Sequence, residues 1–216
     1  MAQLLERSQI LLVKLILFVP VGLLLLTIAG MVWRATSPVE AGVAVDQPIP
    51  FSHKHHVGDD GIDCRYCHTS VETSASAGMP STSICLTCHA QLFRDASALA
   101  PLHESMRTGK PIQWNRVYDL PDFVFFNHSI HVNKGVACVT CHGRVDQMPV
   151  LLRQESLDMQ WCLGCHRDPS MRVVPLNHVT AMRTLPSLSE AERERLLRML
   201  QLEDTQRMTD CSTCHR

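Results

Sequence analysis

Cys138-Val139-Thr140-Cys141-His142 decides how this chain is read, because its pattern, CxxCH, occurs five times in 216 residues. The other four are Cys64/Cys67/His68, Cys85/Cys88/His89, Cys162/Cys165/His166 and Cys211/Cys214/His215. Together they use all ten cysteines. A single CxxC fits a redox dithiol or half a zinc site. Five pairs cannot be sorted into four-cysteine zinc sites without orphaning one, and neither zinc nor disulfides need a histidine after every second cysteine. Covalent haem needs both: two thiols add across the porphyrin vinyl groups and the adjacent histidine ligates iron. The pattern therefore predicts five covalently bound haem c groups. Cys64, Cys67, Cys85, Cys88, Cys138, Cys141, Cys162, Cys165, Cys211 and Cys214 attach them, and His68, His89, His142, His166 and His215 are the proximal iron ligands.

Seven histidines lie outside these motifs: His53, His55, His56, His103, His128, His131 and His178. Four of them fall in a repeat. Phe51-Ser-His-Lys-His-His56 and Phe126-Asn-His-Ser-Ile-His131 share the form F-x-H-x-x-H, and each precedes two CxxCH motifs. The offset stays near 75 residues along the pair, which marks a duplication. Histidines three apart on a helical turn share a face and can serve two neighbouring haems. By the repeat, His53 lies opposite the first iron and His128 opposite the third, while His56 and His131 reach two of the others. For the remaining iron the expected ligand is Met148, ahead of Met159, Met182 and His178. A thioether would raise that potential; the alternative is that these methionines fill gaps against porphyrin. His55 and His103 read as surface or core residues.

Ile10 to Trp33 is apolar except for Lys14, long enough to cross a bilayer as a helix, with Lys14 near enough to its start to snorkel. Pro20 and Gly22 are tolerable there. The stretch is longer than a secretory core and ends without an A-x-A site, so a retained anchor is expected, not a cleaved signal. The expected organisation is an anchor over 1–36, a linker over 37–50, a two-haem module over 51–120, a second over 121–180, and a helix with the fifth haem over 181–216. Ser189 and Glu192 form a capping-box pattern ahead of Leu196, Leu197 and Leu200, which predicts a helix from Ser189 to about Met208.

The formal charge is −1, with no basic stripe, so nucleic acid is not expected as a partner. Haem propionates would add negative charge, which arginines such as Arg65, Arg144 and Arg167 are placed to offset. Five porphyrins would supply much of the core that so short a chain lacks. The fold class expected is therefore a haem-packed c-type cytochrome of short helices and loops with little sheet, plus one N-terminal transmembrane helix.

F-x-H-x-x-H ahead of CxxCH resembles the class III multihaem cytochromes. Phe51 to His56, Ile62-Asp-Cys-Arg-Tyr-Cys-His68, Gly109-Lys-Pro-Ile-Gln-Trp114 and Asn127-His-Ser-Ile-His-Val-Asn-Lys-Gly135 resemble the pentahaem subunit of alternative complex III. That resemblance implies a role in a membrane assembly that oxidises quinol and passes electrons to a soluble periplasmic carrier or a terminal oxidase. Iron–sulfur and polytopic membrane subunits would stand alongside. It also implies that the chain conducts electrons and is not an enzyme by itself, since one transmembrane helix cannot enclose a quinone pocket. Haem attachment outside the cytoplasm puts the N-terminus inside and the haem domain on the periplasmic side. Two other readings are a stand-alone membrane quinol dehydrogenase and a multihaem reductase of an oxyanion such as nitrite. The second needs an open iron, and no motif marks one.

Overall fold

The computed structural model describes residues 6–36 and 41–215. Two compact units divide the chain, Met1–Val39 and Glu40–Arg216.

The first unit is one helix, α1 (Arg7–Thr36), which continues through Pro20. From Leu11 to Trp33 its large apolar side chains are exposed on every side. A stripe would suit packing on a soluble core; apolar residues all round suit a membrane span. Arg7–Trp33 alone comprises 27 residues, about 40 Å at the helical rise against a hydrocarbon core of about 30 Å.

The second unit is built of short helices. Those bearing the attachment cysteines are α2 (Cys64–Cys67), α3 (Thr82–His89), α6 (Cys138–His142), α7 (Met159–Arg167) and α10 (Cys211–Cys214). Between them lie α4 (Ala100–Thr108), α5 (His128–Asn133), α8 (Glu190–Leu200) and α9 (Thr205–Met208). Three attachment helices start on an aspartate whose carboxylate accepts a backbone N–H of the first turn: Asp63 from Arg65, Asp158 from Trp161 and Asp210 from Ser212. Such a cap starts a helix abruptly, so a turn as short as CxxC is already helical at its first cysteine. Among the described residues there is no sheet, only isolated bridges: Ala44 with Leu152, Val124 with His215 and Val136 with Val173.

The two repeats interleave. Lys54 N donates to Met148 O at 3.0 Å and Ser129 N donates to Ser74 O at 3.1 Å. Lys54 and Ser129 are equivalent in the repeat, as are Ser74 and Met148, so each histidine segment is bonded to the other repeat's loop after its first CxxCH. The first histidine segment runs into a single π-helical turn, Lys54–Asp59. Gly58 packs there so closely on the Asp146 carbonyl that a Cβ would overlap it. Asp146 is buried and accepts from Arg144 at 2.7 Å and Arg183 at 3.4 Å; Arg183 also reaches Gly58 O. These cations hold the Asp146 carboxyl below its usual range, Arg144 most strongly.

Residues 37–40, the start of the expected linker, lie outside the described residues. Residues 41–50 are held against the domain: Gly42 N donates to Arg153 O, Gln47 exchanges hydrogen bonds with the Asn115 backbone, and Ile49 is buried. At the other end, the capping box of Ser189 and Glu192 starts α8. The helix stops at Leu200, short of Met208, because Gln201 turns left-handed (φ 54°) and Leu202 N bonds back to Leu197 O. That reversal buries Leu202 with Val173, Leu196 and Leu200; α9 then starts afresh on Asp204.

Candidate haem-ligand site

The repeated phenylalanine explains the F-x-H-x-x-H pattern. Phe51 stacks on His56 (4.5 Å between ring centres, 24°) and stands edge-on to His53 (4.9 Å, 88°). Phe126 does the same with His131 (4.6 Å, 29°) and His128 (4.7 Å, 86°). One ring thus fixes two imidazoles at different angles.

Each of these segments is brought to the CxxCH histidines. His56 faces His89 at 6.1 Å between ring centres, His131 faces His166 at 6.1 Å, and His128 lies nearly parallel to His142 at 6.4 Å and 10°. His53 is half-buried with its Nδ1 enclosed and unpartnered, and after burial itself the His68 imidazole has the largest effect on its charge. Two imidazoles ligating one metal from opposite sides, with bonds of about 2.0 Å and about 1.1 Å from nitrogen to ring centre, would have centres about 6.2 Å apart. The observed separations fit an iron between each pair.

The ring nitrogens agree. Nδ1 of His68 donates to Gly78 O, of His89 to Leu92 O, of His166 to Met208 O and of His215 to Phe123 O, at 2.8 to 3.3 Å. Nδ1 of His56 donates to Ser52 O, of His128 to Ala75 O and of His131 to Asn127 O, at 2.7 to 2.9 Å. A carbonyl can only accept, so the proton sits on Nδ1 and Nε2 carries the lone pair a metal needs. His103 is the reverse: its Nε2 contacts Arg94 O, while His55 is exposed beside Asp59 and Asp60. Burial pushes His142 down to about 4, helped by His128, His68 and His53, and His53 likewise to about 4, helped by His68 and His56. Both are held in the neutral form that ligates.

The cysteines are not arranged for the alternatives. None is in a disulfide, and among the described residues no three His, Cys, Asp or Glu side chains converge to hold a bare ion. The motifs do neighbour one another in a definite order. Tyr66, inside the first, hydrogen-bonds Thr87, inside the second, at 2.8 Å. Cys64 of the first and Cys138 of the third contact each other and pack on one cluster with Val145, Met148 and Met182. Cys141 of the third is pushed up to about 12, first by burial and then by Cys165 and Cys162 of the fourth. His166 of the fourth bonds Met208, just ahead of the fifth, and Cys162 is pushed up first by burial and then by Cys214 of the fifth. The fifth is pinned to the second repeat where Phe125 N donates to Cys214 O, and Phe123 stacks on His215 at 5.9 Å. The sequence of neighbours is second, first, third, fourth, fifth.

Met148 is buried in the cluster beside Cys64 and Cys138 of the first and third motifs, with Met182. Met159 is exposed at the start of α7, and His178 is half-buried one residue before Val179, whose carbonyl accepts from Cys138 N. Two neighbours of His142 escaped the sequence reading. Tyr118 packs edge-on against it at 4.5 Å, and Arg153 lies over Tyr118, 6.0 Å from the ring centre. Neither belongs to a motif; the scarcity of tyrosine, two in the chain, is the one signal that could have drawn attention to Tyr118.

Residues 124–216 match the family model of cytochrome c7 and related cytochrome c, which covers the second repeat and the fifth motif. A relative from Nitratidesulfovibrio vulgaris Hildenborough, the multiheme cytochrome c subunit of a menaquinone reductase, is 40% identical over 124 residues, 57% of this chain and 52% of the relative. The chain spans about half the length of that curated relative.

Proposed function

We propose, from the premise that the chain carries a multihaem c-type cytochrome domain of short helices and loops, that it is the pentahaem electron-transfer subunit of a membrane quinone-linked complex. When bound, haem c takes up and gives off single electrons at its iron. The observation that carries the reading is the imidazole spacing of 6.1 to 6.4 Å in three His pairs. The chain's own residues do the rest: paired thiols attach, Nδ1 hydrogen bonds and Phe51 and Phe126 orient, and burial keeps His53 and His142 neutral. An imidazole facing each of His89, His142 and His166 would leave no open iron at those three motifs, which speaks against an oxyanion reductase.

The order of neighbours supports a serial route whose ends are the second and fifth motifs. Of the ten cysteines only Cys88 and Cys211 are exposed, one in each end motif. An interior route with two exposed ends suits transfer between two partners. α1 suits a single-pass anchor with the haem domain on the periplasmic side.

Within this reading we favour the quinol-oxidising direction, with iron–sulfur and polytopic membrane subunits supplying electrons and a periplasmic carrier or terminal oxidase taking them. The likeness of loop segments such as Gly109 to Trp114 to alternative complex III supports it. The menaquinone-reductase relative favours a second reading, in which the same route runs toward quinone. Extraction in mild detergent, identification of co-purifying chains, and assays of both quinol oxidation and menaquinone reduction separate the two. Isolation as a lone chain that oxidises quinol unaided would overturn both in favour of a stand-alone dehydrogenase.

A further inference from the structure

Arg153 is the unexplained charge of the domain. It is 9% exposed, and its Nε is buried with no hydrogen-bond partner. Several arginines of the domain have carboxylates: Arg65 has Asp63 and Glu72, Arg107 has Glu104, Arg116 has Asp119, Arg144 and Arg183 share Asp146; among the described residues Arg153 alone combines burial with an unpartnered guanidinium nitrogen. Leaving a guanidinium donor desolvated and unmatched is costly, so such groups are retained where an anion completes them.

The position of Arg153 is built. Its carbonyl accepts from Gly42 N at 2.6 Å. The hydroxyl of Tyr118 donates to Leu152 O and accepts from Gln154 N, gripping the backbone on both sides of Arg153. The same tyrosine ring lies under the guanidinium and against the His142 imidazole. Tyr118 therefore fixes the cation one ring away from the proximal histidine of the third motif. Arg65 and Arg144, which the sequence offered as partners for propionates, are already engaged by protein carboxylates.

We propose that Arg153 is the hydrogen-bond donor and counter-cation for a propionate carboxylate of the haem attached at Cys138 and Cys141, with Tyr118 as the residue that positions it. The proposal rests on the haem reading of the third motif. A planar fork of donors matches a carboxylate in two bonds, which a lysine point charge does not. A cation held there favours the reduced haem, so it raises that one potential above what bis-histidine ligation alone would give.

The test uses the full chain with its haems attached. Arg153→Gln and Arg153→Lys are compared with the parent by mass spectrometry of the 138–142 peptide, potentiometric titration and resonance Raman of the propionate bending modes. The expected result is full haem attachment in both, one potential lowered in Arg153→Gln by about tenfold in its reduction equilibrium, or 59 mV for one electron, and recovery of most of that shift in Arg153→Lys. One propionate band moves in both. Should Arg153→Gln fail to mature, Arg153→Lys decides alone through the Raman band. Haem attached with all potentials and bands unchanged overturns the role of Arg153. A 138–142 peptide without haem in the parent overturns the haem reading instead.

Discussion

At the scale of single residues, the five CxxCH motifs and the two F-x-H-x-x-H segments were legible because covalent and coordinate chemistry fixes spacing along the chain. What spacing does not encode is the hydrogen bond behind seven of the imidazoles. The acceptors are backbone carbonyls of Gly78, Leu92, Ala75 and others, and a carbonyl has no residue type. Arg153 was hidden for a similar reason, since only folding shows which arginine is buried with a donor left unmatched. Replacing His131 by Met should put a thioether opposite His166, raising one potential while leaving attached haem unchanged; unchanged potentials would show that His131 is not a ligand. Met148 gives a sharper contrast. Spacing made it a ligand candidate, whereas its place beside Cys64 and Cys138 fits packing between two haems. Met148→Leu conserves volume, so it should cost less than about 1.5 kcal/mol and leave every potential in place. Loss of a sulfur-to-iron charge-transfer band would restore Met148 as a ligand.

At the scale of elements, the sequence marked where helices begin better than where they end. Ser189 and Glu192 announced α8 through side chains that cap a terminus. Its end was set by burial of Leu202 through a left-handed Gln201, a residue with no special liking for that conformation, so nothing local announced it. The contact between Lys54–Asp59 and 145–147 was equally silent, because it depends on two distant glycine and aspartate backbones meeting. Gly58→Ala should destabilise the domain by roughly 2 kcal/mol or more, since its Cβ overlaps the Asp146 carbonyl; thermal unfolding of the haem-loaded protein checks it. Asp146→Asn should remove on the order of 2 kcal/mol, the cost of replacing a buried carboxylate by an amide that accepts less well from Arg144 and Arg183. The carboxyl of Asp146 is depressed in the fold, so its contribution is present above the unfolded aspartate value of about 3.9 and is lost as pH falls through the lower folded value. Stability of the parent and of Asp146→Asn should therefore converge in strong acid and separate near neutrality; parallel curves would remove this carboxylate from the account.

For the whole molecule, the duplication predicted two similar modules, and the chain exchanges their histidine segments across reciprocal bonds, Lys54 to Met148 and Ser129 to Ser74. The repeat was visible because it is written twice; the exchange was not, because it is a relation between copies. Its consequence is that first and third motifs meet at the centre, with the exposed second and fifth motifs at the ends. Removal of residues 1–36 behind a cleavable signal should give a water-soluble cytochrome with all its haems that no longer co-purifies with membrane partners. Full retention in the membrane would show that α1 is not the principal anchor. The central claim is that four irons lie between paired imidazoles, and near-infrared magnetic circular dichroism of the oxidised full-length protein tests it most directly. The account predicts a low-spin bis-histidine band with the intensity of at least four haems; a band worth fewer than four, with high-spin or histidine–methionine signals in its place, would contradict it.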